Sequence, residues 1–200
     1  MDELLGYCTA LGLATAAGLN AWVPLLATGL LARFTGLIDL DGGWDALEQT
    51  PVLIGLGAVA LADFTGDKIP AVDHILHAAG TVVAPVTGII AGLASTGTLD
   101  VSPAAVTVIG LVSAETAHGT RMAIRSFSTA ATGGTANPVL SLIEDVISVG
   151  LSFAAIAVPL LALFLVLALL AAAWTAIRRL RERARARRVA PHQPDGRPLR

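Results

Sequence analysis

Charge is scarce in this chain. Asp, Glu, Lys and Arg make up 14% of its 200 residues, against about 25% in a soluble domain. Hydrophobic residues make up 54%, and the mean hydropathy is +0.73. A single globular core cannot hide that much apolar side chain, whereas a bilayer removes the need to hide it. Cysteine is almost absent. Cys8 alone excludes an intramolecular disulfide and any multi-cysteine metal site, and in its apolar run it reads as a small core residue. A basic n-region is missing from Met1-Asp-Glu-Leu-Leu5, so the first apolar stretch is expected to be a retained span and not a cleaved signal. Basic residues are rare over most of the chain: only Arg33, Lys68, Arg121 and Arg125 precede Ile177. Thirteen acids share that region, so residues 1–177 carry a net −9. Nine arginines against two acids give residues 178–200 a net +7. That tail has no aromatic residue, which removes the stacking surface a nucleic-acid partner would need, and none is expected.

What is present is a series of apolar runs. Leu4 to Ala32 is free of charge over 29 residues. As one helix it would be roughly 43 Å long, against a hydrocarbon core of about 30 Å. Gly18-Leu-Asn20 followed by Pro24 marks the expected break; the plain alternative is one span with Asn20 bonded to another helix. Residues 36–50 form a polar, acidic loop that Trp44 could anchor at the interface. Pro51 opens a short apolar run to Ala62, followed by Asp63, Asp67 and Lys68. Residues 71–80 are amphipathic and 81–95 apolar, with Gly88 and Gly92 forming a GxxxG that lets helix backbones approach closely. Pro103 opens another run to Ala114, followed by Glu115, His118, Arg121 and Arg125. A small, polar break over 128–138 precedes a helix from Pro138 that carries Glu144 and Asp145. Leu151 to Ile177 reads as one uncharged span of 27 residues, kinked at Pro159, with Trp174 and Arg178 at its end. Seven arginines in 178–188 resist translocation, which places the tail in the cytoplasm, helical to about Arg188 and disordered over 191–200.

An internal repeat is expected. Residues 51–67 lie over 103–119 with Pro51 on Pro103 and Asp63 on Glu115. After a one-residue slip, Lys68 falls on Arg121, Gly80 on Gly133 and Pro85 on Pro138. The units are about 51–102 and 103–150. In each, a glycine break is followed by a half-length helix starting at proline, with Asn137 standing as the N-cap of the second. Paired broken segments in two repeats are a sequence pointer to a transporter-like site.

Three stretches carry a family resemblance: Gly18-Leu-Asn-Ala-Trp-Val-Pro-Leu25, Ala62-Asp-Phe-Thr-Gly-Asp-Lys-Ile-Pro-Ala-Val-Asp-His74, and Thr129-Ala-Ala-Thr-Gly-Gly-Thr-Ala-Asn-Pro138 leading to Ser141-Leu-Ile-Glu-Asp145. In these the chain resembles an uncharacterised bacterial integral membrane family, catalogued as domain of unknown function 4126. Phe64-Thr-Gly before Asp67 is longer than that family's pattern. The resemblance implies a membrane protein and brings no substrate.

Three constellations could carry chemistry. Asp67, Lys68, Asp73, His74 and His77 form the densest polar cluster. Asp73 and His77 share a helix face at four-residue spacing, so Asp73, His74 and His77 are weak candidates for a metal site. The plain alternative is an interfacial turn with its charges in water. Glu115, His118, Arg121 and Arg125 recur every three to four residues and line one face if the helix continues. The arginines could pair Glu115, Glu144 or Asp145, or hold an anionic group bidentately; the alternative is a purely structural ion-pair network. Glu144 and Asp145 are expected to diverge, one toward the repeat partner and one toward the bilayer edge.

The resulting expectation is an all-α, polytopic transmembrane helical bundle of about five membrane-embedded units, some broken or half-length, in the plasma (inner) membrane. Residues 1–177 form the membrane domain and 178–200 the cytoplasmic tail. The first function expected is a small transporter or channel whose path is lined by Asn20, Asp63, Asp67, Lys68, Asp73, Glu115, His118, Arg121, Arg125, Asn137, Glu144 and Asp145. Half-helix N-termini at Pro85 and Pro138 would face an anion. The alternatives are a membrane scaffold or assembly factor docking through its tail, and an intramembrane metal-dependent hydrolase. No cofactor is expected. Expected partners are the bilayer, anionic headgroups on the tail, and a second copy packed through Gly88 and Gly92.

Overall fold

The computed structural model describes residues 1–40, 43–66 and 70–189, and their side chains except those of 70–77, 180, 181 and 183–189. Among the described residues there are seven α-helices, one short 3-10 helix and no strand. The helices are α1 (Asp2–Leu19), α2 (Val23–Thr35), α3 (Thr50–Gly66), α4 (Pro70–Thr96), α5 (Pro103–Thr132), α6 (Asn137–Ala157) and α7 (Pro159–Val189). The 3-10 turn, Trp44–Glu48, lies in the acidic loop. Among the described residues, three stretches are long and apolar enough to cross a membrane: Ala78–Thr96, Asn137–Ala157 and Pro159–Arg179.

Side chains are sorted by size, and in the reverse of a soluble protein. The buried apolar set is mostly alanine, including Ala10, Ala14, Ala16, Ala91, Ala114 and Ala155. The exposed set is Val, Leu, Ile and Phe, including Val82, Val86, Leu111, Val112, Leu142, Val146, Phe153 and Phe164. In water such a surface would aggregate. In lipid it costs nothing, and small residues inside let helix backbones pack closely. This sorting and the three apolar helices point to a membrane protein.

The axis of the bundle is α1, against which α4, α5, α6 and α7 all pack. Its glycines set the spacing. A Cβ on Gly12 would lie 2.7 Å from that of Ala155, and one on Gly18 would meet the Ala114 carbonyl and lie 2.5 Å from the Ala117 Cβ. Gly88 and Gly92 are buried in the same way, against Ala14 and Ala114 and against Ala10 and Val106. The close approach they allow is therefore between helices of one chain and not between two copies.

One end of the bundle gathers Asp2, the chain beyond α2 at Leu37–Asp39, the end of α4 at Ser95–Leu99, and the α6–α7 junction at Ile156–Pro159. The pair α1–α2 thus enters from this end, turns at Asn20–Trp22 and returns toward it.

Several sequence expectations change. The stretch Leu151–Ile177 is not one span: α6 already runs 21 residues by Ala157, and Pro159 pushes Val158 out of the helical region to φ −145°, ψ 74°. No half-helix starts at Pro85. The helix α4 runs unbroken through Gly80 and Pro85 for 27 residues, because the lost hydrogen bond is one among many and the flanking turns are clamped between α1 and α5. Consequently the helix bounds of α4 and α6 do not repeat in the register that places Pro85 on Pro138. Asn137 is the first residue of α6 and Ala136 its N-cap. The break at Asn20 does form, and α7 continues as a helix through Val189.

Candidate functional site

The site is built where α1 ends. Asn20 leaves the helix in an extended conformation, φ −143°, ψ 116°. Its Oδ1 accepts from the backbone N–H of Trp22 at 3.1 Å and of Val23 at 3.3 Å, which satisfies two donors at the start of α2. Its Nδ2 donates to Asp145 Oδ1 at 2.9 Å. The break and the interhelical bond, posed as alternatives in the sequence, are thus one arrangement. An aspartate could not serve here, because it would bring a second carboxylate against Asp145. Gly18 makes the approach possible by letting the last turn of α1 sit on the α5 backbone at Ala114–His118.

From α5 come His118, Arg121 and Arg125, all less than a tenth exposed. From α6 come Glu144 and Asp145, equally buried, with Ser141, Ser148 and Ser152 on the same inward face. Glu144 holds both arginines. Its Oε2 accepts from Arg121 Nε at 2.9 Å, from Arg125 Nη2 at 2.6 Å and from Arg125 Nε at 3.1 Å. These charge-assisted bonds fix the guanidiniums in a medium that screens them poorly. Hydroxyls lock the helices around them: Ser148 Oγ donates to the Ala16 carbonyl and Thr9 Oγ1 to that of Ala155, each at 2.9 Å. Asp145 lies about 12 Å along α6 from its first residue, well inside the apolar stretch.

Open volume surrounds the cluster. A cavity of about 60 Å³ is lined by Ala17, Ala21, Trp22, Asp63, Ala79, Gly80, Val83, Ala84, His118 and Arg121, enough for a few water molecules. Gly80 leaves the imidazole its place, since a Cβ there would lie 2.6 Å from His118 Cε1. A second space, about 330 Å³, reaches Asn20 and Asp145 past Phe64 and Leu142. A third, about 270 Å³ and almost wholly apolar, ends on Arg121 and Glu144 between α5, α6 and α7.

Of the expected path residues, Asn20, His118, Arg121, Arg125, Glu144 and Asp145 come together, and Asp63 joins them at the first cavity. Glu144 and Asp145 do not diverge to the bilayer edge, because α5 covers one side of α6 and the α1–α2 turn the other. Glu115 stays apart, half-exposed on α5 and outside the face shared by His118, Arg121 and Arg125. Asn137 also stays apart and donates to Thr129 Oγ1 at 2.9 Å across the α5–α6 turn. Asp67 and Lys68 lie outside the described residues, as do the side chains of Asp73, His74 and His77. Among the described residues, no group of three or more His, Cys, Asp or Glu side chains is arranged to hold a metal ion. The serine stripe of α6, Trp22 and the close approach at Gly18 were not anticipated. The stripe was legible as serines at helical spacing in an apolar helix; the other two depend on tertiary packing.

A family model described as "Domain of unknown function (DUF4126)" matches residues 7–179. The chain belongs to this family. The DUF4126 match runs from the first turns of α1 to the first arginines of α7, so every residue of the cluster falls inside the family domain. No curated protein and no solved structure matches the chain.

Proposed function

We propose that this protein is a small membrane transporter or channel, passing an ion or small solute along the polar cluster between the α1–α2 turn, α5 and α6. One observation carries this reading. Arg121, Arg125, Glu144 and Asp145 are sunk, less than a tenth exposed, in a body whose outer face is Leu, Val, Ile and Phe. A charge in hydrocarbon costs at least about 2.5–3.5 kcal/mol on insertion scales. A well-packed apolar set of the same volume is often as stable as a buried ion pair, so stability alone is a weak reason to keep these charges. The cavities touching Asp63 and His118, Arg121 and Glu144, and Asn20 and Asp145 give the cluster more than one approach. A broken helix pair with its turn at the polar site is a construction that transporters use.

The orientation follows from charge. Asp2, Glu3, Asp39, Asp45, Glu48 and Asp100 belong to the end where α1 begins and α4 finishes, with Arg33 the base there among the described residues. Arg178 and Arg179 follow the span of α7 at the other end. The positive-inside rule supports a cytoplasmic arginine end, as expected of a plasma-membrane protein. There the tail would attract anionic headgroups, worth about 1 kcal/mol per arginine near the surface. No described side-chain geometry favours the scaffold or the hydrolase over transport.

The test is flux in liposomes holding the purified protein, read with indicators for protons, sodium, potassium, chloride and phosphate. The expected result is protein-dependent flux of at least one of these, abolished by Asp145→Asn in a protein that still folds. No flux of any of the five from folded protein, or flux unchanged by Asp145→Asn, overturns the proposal.

A further inference from the structure

One of the three spaces around the cluster stands apart by its direction and its lining. The cavity of about 270 Å³ between α5, α6 and α7 draws on residues 117–124 of α5, 140–147 of α6 and 169–176 of α7. Each helix gives seven residue steps, about 10 Å of its length. The cavity therefore runs along the apolar spans of α6 and α7, across the depth of the bilayer. About 270 Å³ over about 10 Å gives a mean section of about 27 Å², room for one extended hydrocarbon chain but not for two side by side. Its walls are almost wholly apolar, and Ile143 and Leu170, 49% and 43% exposed, form its rim on the lipid-facing surface. Arg121 and Glu144, where they reach it, are bonded to each other, and Thr15 Oγ1 donates to the Leu11 carbonyl at 2.8 Å; Thr120 adds a single hydroxyl.

The two ends of the cavity differ. At the deep end α1 closes it with Thr15 and Leu19. Toward the other end the last lining residue of α7 is Ala176, and Arg179 follows one turn later on the same helix face, exposed. Arg178 beside it pairs with Glu182 at 3.0 Å. On α5, α6 and the turn between them, residues 124–143 hold no acid. The mouth of the groove is therefore basic. We propose that this groove binds one chain of an anionic phospholipid from the leaflet at the arginine end, with the lipid phosphate at Arg179. Direction, width and lining fit the chain, and the arginine fits the head. The general pull of a basic tail on anionic lipid is diffuse, whereas this is a discrete site for one lipid per chain. A seated chain covers the Arg121–Glu144 pair with hydrocarbon on the bilayer side.

The experiment is native mass spectrometry of the full chain released from detergent micelles. The chain is titrated with phosphatidylglycerol or phosphatidylcholine carrying the same oleoyl chains, or with glycerophosphate, which has the charge without the chain. One phosphatidylglycerol is expected to be retained, about fivefold tighter than phosphatidylcholine, the worth of one arginine near the surface. Glycerophosphate should not be retained. Arg179→Gln should erase the preference between the two lipids. Ala173→Phe and Ala176→Phe, which fill the groove, should each weaken the retained lipid in protein whose circular dichroism is unchanged. No retained lipid, equal retention of the two lipids, retention of glycerophosphate, a preference that survives Arg179→Gln, or a bound lipid that neither filling variant weakens overturns the proposal. The lipid panel on the unaltered chain decides the matter even where the filling variants do not fold. The site is independent of transport, so an absence of flux leaves it standing.

Discussion

Replacing Glu144 by glutamine removes a carboxylate that both Arg121 and Arg125 engage, while keeping its size. The loss can be estimated from the geometry. Three donor contacts between 2.6 and 3.1 Å converge on Glu144 Oε2, and all three residues are less than a tenth exposed. Removing one partner of a buried pair costs about 3–5 kcal/mol, because the remaining charge stays in a poorly screening medium. Both guanidiniums engage this group, so Glu144→Gln is expected to cost about 3 kcal/mol or more. The assay is reversible unfolding in mixed micelles, followed by circular dichroism. Adding Arg121→Met should recover at least about 1 kcal/mol of the loss, since it takes away a charge left poorly compensated. A cost below about 1 kcal/mol for Glu144→Gln, or strictly additive effects in the double variant, would refute the claim that these charges are truly buried.

Three further outcomes follow from the same geometry. Asn20→Ala should cost about 1–3 kcal/mol through the lost bonds to Asp145, Trp22 and Val23, and Asn20→Asp should cost more than Asn20→Ala because it sets two buried carboxylates side by side; thermal unfolding of both variants tests the order. Gly18→Ala should destabilise by about 1–3 kcal/mol, since the new methyl meets the Ala114 carbonyl and the Ala117 side chain, whereas Gly57→Ala, with open space around it, should be tolerated. In a Cys8→Ala background, a cysteine at Asp100 should react with an impermeant thiol reagent from outside intact cells, and one at Glu182 only after the cells are opened.

The sequence and the structure agree where the deciding forces are local. Gly18, Asn20 and Pro24 announced the α1–α2 break because each acts on its own turn. Ser102 and Pro103 start α5 for the same reason, with Ser102 Oγ accepting from Ala105 N–H. Pro85 misled because the same local rule was applied where packing wins: α1 and α5 hold α4 on both sides of the proline. Pro159 misled in the opposite direction, since a long uncharged run hid the point where α6 had already reached full length. The cluster was legible as a set of residue types but not as a set of partners. Arg121 had three acids within plausible reach, and the 125-residue separation of Asn20 from Asp145 leaves no periodicity to read. Glu115 shows the limit most clearly. Its spacing from His118 places it near the shared face, while the rotation of α5 against α1 and α4 turns it outward.

The account depends on the charged cluster lying within the membrane and yet touching water. A cysteine at Ala21, which lines the inner cavity at the α1–α2 turn, reads this directly. In the Cys8→Ala background and in sealed proteoliposomes of known orientation, Ala21→Cys is expected to react with a small, charged thiol reagent from at least one side, and phosphocholine lipids with a spin label at mid-chain should broaden a nitroxide placed at nearby Val82. An Ala21 thiol that no water-borne reagent reaches from either side of the folded protein would mean a dry, sealed cluster and would contradict the account.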